Sequence, residues 1–169
     1  MRVIIFRHGP AGERDADQWP DDALRPLSPR GEERTYAAAR GLARIEADLK
    51  LIVTSPLTRA AQTARVLSEI HDAKVETLDA LRPMGSYRKA IEYLVSRPSD
   101  DTLALVGHEP DLGRLAGMLV FGAPVAIPLK KAGACAIEFD AEPKSGGGRL
   151  CWMMPPKFLR KLAGKKDHV

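Results

Sequence analysis

Short apolar runs alternate along the chain with longer segments whose apolar residues recur at helical spacing. The runs "RVIIFR" (2–7), "KLIVT" (50–54), "KVETL" (74–78) and "TLALVG" (102–107) read as strands, and the first is apolar enough to be buried. Ser28-Pro29 supplies a helix cap followed by proline at the first helical position, opening "RGEERTYAAARGLARIEA". Ser55-Pro56 offers the same start for "LTRAAQTARVLSEIH", whose Leu57, Ala60, Ala61, Ala64, Leu67 and Ser68 share one narrow face. Residues 86–95 and 110–120 read as further helices. This alternation predicts βαβ units and a three-layer α/β/α fold with a mostly parallel central sheet flanked by helices.

The last third changes character. "ACAIEFD" and "GRLCWMM" flank the glycine-rich "PKSGGG" and predict a C-terminal hairpin of two edge-side strands, followed by a short helix at about 156–163. Residues 10–27 are acidic and rich in turn formers, which predicts a loop over a site. At 169 residues the chain is expected to form one domain spanning 1–169.

Composition narrows the function classes. Apolar residues make up 44% and charged residues 28%, as in ordinary globular proteins, and the net charge of +4 suits an anionic ligand without naming one. Much of the excess lies in the tail "KFLRKLAGKKDHV", where only Phe158 is aromatic, so a nucleic-acid partner is not expected. No run approaches the length of a membrane span and "MRVIIFRH" is too short for a signal peptide; no membrane partner and a cytoplasmic location are expected. Cys135 and Cys151 lack metal-ligand spacing and read as free thiols, although the hairpin would bring them within a residue or two of facing one another. A monomer is expected.

Candidate chemistry gathers at strand ends. In open α/β sheets ligands bind beyond the carboxyl ends of the strands. The first strand ends in Arg7-His8-Gly9, the second runs into a helix carrying Arg59 in its first turn, and "LALVGHEP" ends at His108. Each is ambiguous alone; an Arg-His pair is often surface decoration, Arg59 can lie along its own helix, and His108 can cap the next one. Together they describe a phosphate site, because guanidinium forks match phosphoryl oxygens and keep their charge at any working pH. A metal is not expected among adjacent cations without a ligating carboxylate, and no Walker sequence is present.

"RHG" after the first strand, "SPLTRAAQTA" after the second and "GHEP" after a later one resemble the motifs of the histidine phosphatase superfamily. "VIIFRHGPA", "LSPRGEE" and "CWMMPPKFL" look most like its small SixA-type phosphohistidine phosphatases. The resemblance covers nearly the whole chain and is weakest around 10–24 and 122–132. It implies a phosphoglycerate mutase-like fold and His8 as nucleophile. It further implies that Arg7, Gly9, Arg59 and His108 bind the phosphoryl group, and that no cofactor is needed.

The chain departs from the family's pattern at the general acid. Members that cleave phosphate esters commonly carry "LxE" after the third strand, whereas this sequence reads Leu78-Asp79-Ala80. Asp79 is a possible acid one position away, with Glu109, Glu13, Asp15 and Asp17 as rivals. A site without a strong acid suits an N–P bond, whose imidazole leaving group can take its proton from solvent. The expected substrate is therefore phosphohistidine on a protein, with inorganic phosphate as product. The alternatives are a phosphomonoesterase or nucleotidase acting on small molecules, and a non-catalytic phosphate-binding module; binding alone does not require His8.

Overall fold

The computed structural model describes residues 1–164. Its elements run β1 (Arg2–Arg7), α1 (Pro29–Ala43), β2 (Leu51–Thr54), α2 (Thr58–His71), β3 (Lys74–Thr77), α3 (Tyr87–Val95), β4 (Thr102–Gly107), α4 (Asp111–Phe121), β5 (Ala134–Glu138), β6 (Arg149–Met154) and α5 (Pro156–Leu162). Single 3-10 turns occupy Asp22–Leu24 and Asp79–Leu81. The six strands form one sheet in the order β3-β2-β4-β1-β5-β6. The first four are parallel, β5 runs against β1, and β6 runs against β5.

The central strands are apolar throughout because both faces of the sheet are covered. Val3 and Ile5 join Leu103 and Leu105 in the core beneath α3 and α4, which contribute Leu94, Leu112 and Leu119. Ile4 and Phe6 point the other way, to Ala38, Leu42, Ala64, Leu67 and Leu159 of α1, α2 and α5. Ile4, Ile5 and Phe6 are fully buried, each burial stabilising by about 1.5–3 kcal/mol. The fold is thus the three-layer α/β/α arrangement that the alternation predicts.

At the end of β1 away from the predicted site, the buried Glu46 carboxylate accepts from Arg2 Nε at 2.7 Å, Arg2 Nη2 at 2.6 Å and Trp152 Nε1 at 2.8 Å. A buried carboxylate needs partners of this kind, and these tie β1 and β6 to the segment after α1.

Two local expectations change, at β5 and at α2, while the expectation of free thiols holds. The C-terminal strands do pair, but only β6 is an edge; β5 lies inside the sheet with Ala134–Ile137 buried. An apolar "ACAI" is better covered between two strands than at a rim. The register shifts between Ala136 and Ile137, and the cysteines pack toward opposite faces, Cys135 with Ile5 and Cys151 with the core on the other side. Both are free. Finally, α2 begins at Thr58 without a side-chain cap, and its buried face includes Thr63 and Val66 while Ala61 is exposed. Among the described residues no helix is long and apolar enough to cross a membrane.

Candidate active site

Strand register brings the site together. Arg7 of β1 lies opposite Gly107 of β4, so the residues that follow, His8 and His108, emerge side by side. Their rings are 5.0 Å apart between centroids and inclined at 50°. Thr54 of β2 lies opposite Val106, which places Ser55 beside them, and Ser55 Oγ is 2.8 Å from His108 Nε2. Both histidines and Arg59 are buried.

His8 Nδ1 lies 2.7 Å from the carbonyl oxygen of Gly9. A carbonyl only accepts, so Nδ1 carries the proton and the lone pair resides on Nε2. Burial pushes the His8 pKa down to about 3; the Gly9 carbonyl opposes this, while His108, Arg59 and Arg7 add to it. The His108 pKa is pushed down to about 4, again chiefly by burial and then by Arg59. Both imidazoles are therefore neutral near pH 7.

Gly9 admits no side chain, since a Cβ there would come within 2.0 Å of Thr35 Oγ1. Its N–H donates to Thr63 Oγ1 at 3.0 Å, and Thr63 in turn donates to Arg59 O at 2.8 Å. Thr63 thus ties the turn after β1 to the first turn of α2.

Each arginine is held at one edge. Arg7 Nη1 donates to Leu129 O at 2.8 Å, and Leu129 N donates to Glu109 Oε1 at 2.9 Å, so Glu109 braces the segment that orients Arg7. Arg59 Nη1 donates to Asp22 O at 2.8 Å, and its Nη2 lies 3.1 Å from Asp22 Oδ2. Asp22 Oδ1 accepts from Arg25 Nε at 2.8 Å. Among the described residues, the Nε atoms of Arg7 and Arg59 and the Nδ1 of His108 are buried without a protein partner. Burial lowers both guanidinium pKa values, yet such groups stay cationic in proteins.

The candidate acids are placed differently. Asp79 is largely exposed and paired with Arg82, whereas Ala80 lines a small cavity with His108. Glu13, Asp15 and Asp17 are exposed, and Asp15 caps its own turn through Asp17 N and Gln18 N. Glu109 is engaged with Leu129 as described. Asp111 reaches the His108 cavity, but its oxygens accept from Met84 N at 2.8 Å and Tyr87 Oη at 3.3 Å. The carboxylate on Arg59 and Arg25 is Asp22, whose pKa is held down first by the Arg25 hydrogen bond. Among the described residues, no three His, Cys, Asp or Glu side chains gather as metal ligands would.

Ser55, Thr63 and Asp22 are site residues that sequence reasoning passes over. Ser55 carries a signal, but one that reads as a helix cap. Thr63 stands one helical turn from Arg59, a spacing that places two side chains on one face. Asp22 has no local signal within an acidic loop.

The model of the histidine phosphatase superfamily (branch 1) matches residues 3–88. An uncharacterized protein of Picosynechococcus sp. is 37% identical over 145 residues, covering 83% of this chain and 87% of its own. The solved structure of the protein histidine phosphatase SixA complexed with tungstate superposes with a TM-score of 0.80 at 26% identity, over 94% of this chain and 99% of that one. A mycobacterial glucosyl-3-phosphoglycerate phosphatase shares the fold, with a TM-score of 0.69 at 20% identity, over 91% of this chain and 99% of its own. So does an Entamoeba histolytica phosphoserine phosphatase, with a TM-score of 0.67 at 16% identity, over 94% and 98%. With the family match running from β1 to the start of α3 and Arg7, His8, Arg59 and His108 meeting beyond the sheet, this chain belongs to the histidine phosphatase superfamily.

Proposed function

We propose that the protein is a metal-independent phosphatase acting through a phosphohistidine intermediate on His8, with phosphohistidine on a protein as its substrate. The observation that carries the reading is the His8 tautomer. Its Nδ1–H is spent on the Gly9 carbonyl, which leaves a neutral Nε2 with a lone pair beside two arginines.

In the first step Nε2 attacks phosphorus, the bond from phosphorus to the substrate imidazole breaks, and that imidazole takes a proton from solvent. In the second, water attacks phosphorus and the Nε2–P bond breaks, so that phosphate leaves and His8 is regenerated. Arg7 and Arg59 spread the charge on the phosphoryl oxygens. His108 donates through Nδ1 if its Nε2 accepts the Ser55 hydroxyl. Ser55 Oγ is also 3.4 Å from Leu57 N, a donor that leaves the hydroxyl proton free for the imidazole.

The acids favour an N–P bond over an ester. Ala80 supplies a methyl group near His108, and Asp22 is kept ionised, so it is a poor proton donor toward an alkoxide. The compounds for which the two fold relatives are named, glucosyl-3-phosphoglycerate and phosphoserine, are small esters and define the competing reading.

Two measurements test the proposal. Labelled phosphate is expected on His8 after rapid quench, and His8→Ala is expected to lose on the order of 10³-fold or more in turnover while keeping its fold. Rates compared across pH are expected to favour a phosphohistidine peptide over an aryl phosphate. Substantial turnover by folded His8→Ala would sink the nucleophile, and faster ester cleavage would sink the substrate.

A further inference from the structure

Beside the catalytic centre, on the Arg7 side, lies an open cleft of about 470 Å³ whose charged lining residues are Arg7, Arg34, Lys130, Lys131 and Arg160. This is the size of a ligand pocket, well beyond what one phosphoryl group fills. Its walls come from separate parts of the chain. Arg34 stands on α1, the two lysines precede β5, and Arg160 stands on α5. The topology collects them, because β5 starts and β6 ends at the edge where β1 delivers Arg7.

Among the described residues no carboxylate lines the cleft. Among the described residues, Arg34, Lys130, Lys131 and Arg160 make no ion pair, whereas Arg65, Arg88 and Arg149 on the surface each meet a glutamate. The Lys131 pKa is lowered by burial first and then by the fields of Arg7, Arg25, Arg14 and Arg59. Like charges are therefore crowded without internal compensation, a disposition that stabilises an incoming anion.

We propose that this cleft is a second anion subsite, which takes carboxylates flanking the phosphohistidine of the protein substrate. The proposal deepens the phosphohistidine reading above and rests on it for the substrate class. Two features favour side-chain carboxylates over a second phosphate. The cleft is open, and Lys130 and Lys131 are compact and mobile charges without the planar fork that grips a phosphate. Exposed charges of this kind speed encounter and select partners, and they are screened by salt.

The test uses two phosphohistidine peptides of equal length, prepared with phosphoramidate, one flanked by glutamates and the other by glutamines. The wild-type enzyme is expected to show at least about fivefold higher kcat/KM on the acidic peptide at low salt, with the preference shrinking as ionic strength rises. Arg34→Ala/Lys130→Ala/Arg160→Ala is expected to abolish the preference while turning over the glutamine peptide within about twofold of wild type. No preference in the wild type, or a preference that survives in the variant, overturns the subsite.

A second readout separates this failure from that of the phosphohistidine reading. Fluorescence anisotropy follows binding of the unphosphorylated glutamate peptide. Salt-sensitive binding to wild type and its loss in the variant support the subsite even if neither peptide is dephosphorylated. Absence of binding overturns it.

Discussion

Arg59 meets Asp22 through both of its terminal nitrogens, and this double contact decides what a substitution there can do. Lysine keeps the charge but offers a single ammonium, which cannot face Asp22 and the proposed phosphoryl group with two parallel donors. Arg59→Lys is expected to lower kcat/KM at least about tenfold in steady-state assays, and parity with wild type would reduce the residue to a diffuse field. Ser55 works one bond further out, on His108 Nε2. Ser55→Ala frees the His108 tautomer, so kcat/KM is expected to fall about tenfold. Nitrogen-15 chemical shifts of His108 should move with that loss; an unchanged tautomer would mean the hydroxyl plays no orienting part.

At the scale of elements, the site depends on close helix contacts. A Cβ on Gly41 of α1 would lie 1.8 Å from the carbonyl oxygen of Leu159 on α5, so the two helices touch through backbone there. Gly41→Ala must push α5 away, with an expected destabilisation of about 1–3 kcal/mol. The urea midpoint reads this directly, and an unmoved midpoint would show the contact to be looser than described. Since α5 also carries Arg160, the same substitution disturbs the basic cleft. On the other flank, α2 turns Thr63 inward rather than Ala61, and its hydroxyl satisfies the buried Gly9 N–H where the helix meets β1 while donating to Arg59 O.

Across the whole molecule, the buried imidazoles link folding to pH. His8 and His108 titrate near 3 and 4 in the folded protein, below the ordinary 6.5, and His71 is lowered by burial as well. Above pH 6.5 these groups are neutral in both states and contribute no difference. Below it the unfolded chain binds protons that the native state refuses, so their effect is to lower stability as pH falls from 6.5 toward about 4. Denaturation midpoints are expected to decline over that window, and less steeply in His8→Asn/His108→Asn. Equal slopes in the two proteins would mean that these histidines do not titrate below their ordinary value.

Periodicity and end signals are local, and whatever rests on them was legible in the sequence alone. The apolar run of β1, the spacing in α1 and α2 and the strand–helix alternation yield the layered α/β fold. The same local order puts Arg7, His8, Arg59 and His108 at strand ends facing one side. Tertiary structure decided the pairings between distant segments. Asp22 reaches Arg59 across 37 residues of chain, and Ser55 reaches His108 across 53. No propensity encodes either contact; both follow from β2 lying against β4 and from the loop after β1 folding back over α2. The 3-10 turn at Asp79–Leu81 likewise decided that Ala80 lines the cavity with His108 while Asp79 pairs with Arg82. β5 became an inner strand for the same reason. An apolar segment signals burial, but which neighbours bury it depends on the packing of the whole sheet.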